Sequence, residues 1–187
     1  MDKITPISAV DAGVAITDPL RHLVACHDRI EEQLQILEKA IPLVRSDSET
    51  KRREARESLD KALAFLDAMG YLHTQDEEES VFPRLLAASG DDRSVLTELT
   101  TMLESQHREK EAIFAKLAAT VEGFPASPAP PSAEQASRFE GLVSNLVDLY
   151  RVHIMVENQR LISLAEDHLK QAELSEMLRE FLDRRSA

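Results

Sequence analysis

Cysteine is almost missing from this sequence: Cys26 stands alone among 187 residues. A single thiol cannot close an intrachain disulfide or furnish a cysteine-rich zinc module, and it fits a reducing compartment, so the cytoplasm is the expected location. Tryptophan is absent, glycine occurs only five times, and strand signals are lacking. The abundant Leu, Ala, Glu and Arg point to helices instead. No apolar run is long enough to cross a bilayer. The first fifteen residues contain Asp2 and Asp11 and no continuous apolar core, unlike a secretory signal or an anchor. Basic residues are the minority, leaving a formal charge of −12, which argues against the basic surface that nonspecific nucleic-acid binding requires. Neither a membrane nor a nucleic acid is an expected partner.

What is present is apolar residues at helical spacing. The predicted fold is all-α, an up-down-up-down four-helix bundle with a short C-terminal helix and an irregular N-terminal leader. Residues 1–17 form the leader and residues 18–187 one domain, a length that can bury a full core. Asp18 and Pro19 make a helix start, and Leu20, Leu23, His27, Ile30, Leu34 and Leu37 follow its buried stripe until Pro42 ends it. A second stripe runs from Leu59 to His73, with Pro83 and Gly90 interrupting or closing its helix. The third helix begins near Asp91 and carries Leu103, His107 and Leu117. Gly123 to Pro131 cannot continue a helix and reads as an exposed linker. Ser132 opens the fourth, whose stripe includes Phe139, Leu146 and His153, and a shorter amphipathic segment, Leu174 to Arg184, follows and packs on one end of the bundle.

Four of the six histidines have a glutamate four residues on: His27 with Glu31, His73 with Glu77, His107 with Glu111, and His153 with Glu157. Independent placement of the 21 glutamates would give roughly 0.7 such pairs, so the excess asks for a cause. On a helix an i,i+4 pair shares one face and can reach a single metal centre. These histidines fall at core positions, one on each long helix. Seventeen residues separate His73 from Gly90 and Gly90 from His107, which places those two at one level. The distances on either side of the other two turns do not match, fourteen against twenty-four for His27 and His73. Four buried imidazoles with ionised carboxylates would be costly without a cation. Imidazole with carboxylate and no thiolate suits iron or manganese better than a closed zinc site, and seven donors exceed one octahedron, so two metals are expected. Glu31 reads as solvated or as a support behind the metal ligands, because Ile30 already fills the core position. At i+3 from His73, Asp76 is an alternative to Glu77.

The residues resemble the hemerythrin-like family, also called HHE cation-binding domains, over most of the chain. His73-Thr-Gln-Asp-Glu-Glu-Glu-Ser-Val-Phe-Pro83 is similar to the family's second-helix motif, Tyr150-Arg-Val-His153-Ile-Met-Val-Glu157-Asn to its fourth, and Leu103-Glu-Ser-Gln-His107-Arg-Glu to its third. His27 sits where the family has its first-helix histidine. The resemblance implies two non-haem iron ions, oxo- or hydroxo-bridged, with manganese or zinc as substitutes. Glu77 and Glu157 would bridge them, His27 and His73 would hold one, and His107, Glu111 and His153 the other.

Two positions depart from the oxygen carriers of the family: Glu111 replaces a histidine, and Asn158 replaces an aspartate, with Glu157 offered one residue earlier. An added carboxylate should favour the ferric state and weaken reversible oxygen carriage. The expected protein is therefore a cytoplasmic diiron protein that reacts with or senses dioxygen, peroxide or nitric oxide, in oxidative or nitrosative stress or iron homeostasis. The ligand would be a small diatomic or peroxide, and a weak peroxidase or catalase-like activity is one use of the same donors. The competing reading is a metal-poor helical interaction module without redox chemistry.

Overall fold

The computed structural model describes residues 16–88, 90–125 and 129–186. The leader expected at residues 1–17 lies, but for its last two residues, outside them. Every described element is helical: α1 is Pro19–Val44, α2 Glu49–Gln75, α3 Phe82–Ala88, α4 Arg93–Glu122, α5 Ala133–Val156, α6 Ile162–His168 and α7 Gln171–Ser186. Two wide π turns, Asp76–Val81 and Glu157–Leu161, carry α2 into α3 and α5 into α6. The result is a helical bundle with no strand among the described residues, and none of its helices is long and apolar enough to cross a membrane.

Local chemistry starts the helices where the sequence says it should. The Asp18 carboxylate accepts from the backbone N–H groups of Leu20 and Arg21, at 2.9 and 3.0 Å, and Pro19 loses no hydrogen bond at the first helical position. Ser132 and Gln135 form a reciprocal capping box on α5. Stops are less faithful to sequence. Pro42 lies inside α1, which continues to Val44; one bond lost in the final turn costs less than exposing Val44, which is buried in the core. Pro83 likewise does not end the second helix. A proline ring crowds the carbonyl four residues back, here Glu79, and the π turn that precedes α3 widens the backbone there. A 3-10 turn, Gly90–Asp92, delays α4 to Arg93, and Gly90 takes a φ of 47° that suits glycine.

Two apolar cores fill the bundle. One, around Leu34, Leu37, Leu59, Leu117, Phe139 and Leu146, joins α1, α2, α4 and α5. The other, around Leu23, Phe82, Leu103, Leu161, Met177 and Phe181, adds α3, α6 and α7. Each fully buried leucine or phenylalanine contributes about 1.5–3 kcal/mol. The polar layer between the cores is the centre described next. Its level across α1 and α2 is explained by an overhang: no residue of α2 before Ala55 is buried, and from Ala55 His73 is eighteen residues on, against seventeen from His27 to Val44.

Candidate metal centre

Six of the seven residues marked by spacing converge. His27, His73, Glu77 and Glu157 form one group of donors, and Glu77, His107, His153 and Glu157 a second, the donor atoms of each lying within 4.8 Å of one another. All six side chains are buried. The Nε2 atoms of His27 and His73 are 3.0 Å apart, and those of His107 and His153 are 3.2 Å apart. Glu157 reaches His153 at 2.7 Å and His27 at 3.0 Å, while Glu77 reaches His107 at 3.2 Å and His73 at 3.6 Å.

Each glutamate stands at the start of a π turn. Phe82 N–H bonds to Glu77 O and Ile162 N–H to Glu157 O, each five residues back rather than four. Asp76, one residue earlier and about 100° round the helix, turns from the layer to Arg184 and Arg185 at 2.9 and 2.7 Å. Such bulges often mark functional sites.

The outer nitrogens of three imidazoles are held. His107 Nδ1 donates to Glu78 at 2.7 Å, His27 Nδ1 to the Asn158 side-chain oxygen at 2.8 Å, and His153 Nδ1 to that of Gln106 at 2.8 Å. A carboxylate can only accept, so Glu78 fixes the proton on Nδ1 of His107 and turns the Nε2 lone pair inward. The same holds for His27 and His153. In the neutral tautomers that could ligate a cation, these lone pairs face one another across about 3 Å, and all four oxygens of Glu77 and Glu157 then lack a hydrogen-bond partner. Inward lone pairs and bare buried carboxylates together are the donor set of a cation site, and they fit metal ions well.

With protons alone, the charge divides unevenly. Burial pulls His73 down to about 3 and His153 down to about 4, so both stay neutral. Burial also opposes a charge on His107, but Glu157 and Glu77 more than offset it and hold that imidazole at about 9; His27 is raised in the same way, by Glu157. Burial and the neighbouring Glu157 push Glu77 up to about 7. Glu157 resists its own burial because His153, His107 and His27 surround it, and its carboxyl stays well below the usual range.

Glu111, the seventh residue, is exposed and is not among the converging donors. It lies at the rim of a cavity whose lining includes His107. Glu31 pairs with Arg151 on the surface. His22 and His168 stand apart, beside Cys26 and Asp92. Spacing did not reveal the supports Glu78, Gln106 and Asn158, nor Lys110, a buried cation whose ammonium lies 4.7 Å from the Tyr150 ring centroid.

A sequence signal for the layer does exist. His27, His73 and Glu77 recur at an offset of eighty as His107, His153 and Glu157. The geometry repeats with them: two imidazole pairs, two shared carboxylates, two π turns. The repeat breaks where Cys26, Ile30 and Gly70 in the first half meet Gln106, Lys110 and Tyr150 in the second.

Fold and site thus define an all-helical protein with a buried histidine and glutamate centre able to hold metal. The chain belongs to the hemerythrin HHE cation-binding domain family, whose model matches residues 18–165. The match stops short of α7. Among curated proteins, none matches the chain.

Proposed function

We propose that this is a cytoplasmic non-haem diiron protein that reacts with or senses dioxygen, peroxide or nitric oxide, in oxidative or nitrosative stress or iron homeostasis. The main support is the sharing of Glu77 and Glu157 by both donor groups. One ion would take His27 and His73, the other His107 and His153, with the two glutamates between them. Mixed imidazole and carboxylate ligation suits iron or manganese. Six donors leave both ions short of octahedral coordination, and iron would supply redox steps and open positions for a small ligand. A weak peroxidase or catalase-like turnover belongs to the same reading.

The protein's own groups then have defined tasks. Glu78, Asn158 and Gln106 hold three imidazoles in the ligating tautomer. The Phe82 ring lies parallel to His107, 6.3 Å between centroids, and the two apolar cores close the layer on either side along the bundle. In this reading the long helices alternate up-down-up-down, and residues 18–187 act as one domain.

Loading with ferrous iron under anaerobic conditions, followed by desalting and metal analysis, tests the proposal. About two irons per chain are expected, and at most one in Glu77→Ala. Fewer than about 0.3 equivalents in the wild type, on the order of adventitious binding, would overturn it.

A further inference from the structure

A cavity of about 270 Å³ lies between α2 and α4. Its lining is graded. Asp67, Tyr71 and Glu111 are exposed at the rim, whereas His107, Lys110 and Tyr150 are buried at the floor. It therefore runs from solvent to one imidazole of the second donor group. The break in the eighty-residue repeat makes this side different: Lys110 and Tyr150 stand where the first half has Ile30 and Gly70. Gly70 itself helps keep the passage open, since a Cβ there would sit 3.3 Å from the Tyr150 hydroxyl oxygen.

Lys110 is the unusual group. It is about 5 % exposed, contacts the Tyr150 ring, and among the described residues makes no hydrogen bond or ion pair. Burying an ammonium in that way is costly. As ammonium or as amine its Nζ donates a hydrogen bond, as does the Tyr150 hydroxyl, so the floor offers two donors beside the metal layer. The rim carries the opposite character. Asp67 and Glu111 set a negative field across the mouth, which slows the approach of anions and leaves uncharged molecules unaffected.

We propose that this cavity is the ligand's way in and that it selects small uncharged molecules: Asp67 and Glu111 hold anions off at the rim, while Lys110 and Tyr150 donate hydrogen bonds to an acceptor atom that has reached the floor. This rests on the diiron reading above. It gives Glu111 a task in selection rather than in ligation.

The test uses the full-length, iron-loaded protein and two probes, azide as an anion and nitric oxide as a neutral molecule, followed by stopped-flow absorbance. At low ionic strength, Asp67→Asn with Glu111→Gln should speed azide association about fivefold, the order expected for two charges within a Debye length, and leave nitric oxide unchanged. Lys110→Met should hasten azide dissociation about tenfold, with little effect on its association. Gly70→Leu should slow both probes. Iron is counted in every sample first. Fewer than about 0.3 equivalents in the wild type overturns the diiron reading and this inference with it. With two irons bound, unchanged azide association in the rim variant, unchanged dissociation in Lys110→Met, or unchanged entry of both probes in Gly70→Leu overturns the inference alone.

Discussion

His73 and His107 show how one residue type is given opposite properties within a single layer. Burial keeps His73 neutral to about pH 3, while two carboxylates keep His107 charged to about 9. In metal-stripped protein this has a definite pH signature. Between about 4.5 and 6.5 the unfolded chain protonates His73 and His153, and the fold does not; the fold in turn retains a proton on Glu77 that the unfolded chain releases. Among these three groups the net difference of one proton makes stability rise with pH by about 1.4 kcal/mol per unit at most, and burial of Asp76, which raises its carboxyl, acts against that rise. Above 6.5 the sign reverses, because the raised groups His107 and His27 stay protonated only in the fold, and their contribution is lost as pH climbs toward about 9. Urea unfolding across this range should show a maximum near pH 6.5, and His107→Gln should flatten the alkaline limb. A monotonic profile would refute the charge assignment. None of the four imidazoles is hard to find in the sequence, because each lies on an apolar stripe. Lys110 is hard to find, because hydropathy places a lysine in solvent and only the geometry of α4 against α5 puts it over Tyr150.

Helical elements were legible through phase, capping and the linker prolines, and phase alone placed His27, His73, His107 and His153 inside. The π turns were not legible, since each slips the apolar stripe by a single residue over a segment too short to show the change of phase. The distal part of the second helix is held by α7, beyond the family match. Arg184 and Arg185 bind Asp76, Arg184 also donates to Ser80 at 2.7 Å, and Glu180 takes Arg84 at 2.7 Å. Asp76 is fully buried, so losing its partners would strand a charge. Arg184→Met with Arg185→Met should cost about 3–5 kcal/mol in chemical unfolding, and adding Asp76→Leu should recover most of it, because an apolar replacement of the whole cluster removes the stranded charge. If the triple variant is no more stable than the double, the loss comes from α7 packing and not from this ion cluster. Metal retention, measured as the rate of cobalt transfer to a chelator, should follow the same order, since Asp76, anchored by the two arginines, is the immediate neighbour of Glu77.

Across the whole molecule, the two halves supply similar ligands in different surroundings. No residue of the first imidazole pair, His27 and His73, lines the cavity, whereas His107 of the second pair does; the Lys110 charge acts on both sides, on His73 as well as on His107 and His153. Solvent access at His107 weakens the second position. Cobalt titration should therefore be biphasic, with His107→Ala keeping the tighter equivalent and His73→Ala losing it; two equal phases would refute this ordering. The shared glutamates have a mechanical consequence as well. On the diiron reading, an ion at either position would be held by α1 and α2 on one side or α4 and α5 on the other, yet always by Glu77 from one half and Glu157 from the other. Each metal would then be a cross-link between the two halves of the bundle, neither of which holds a complete donor set. Occupancy and bundle closure would become one equilibrium, in which losing the metal loosens the seam that encloses it.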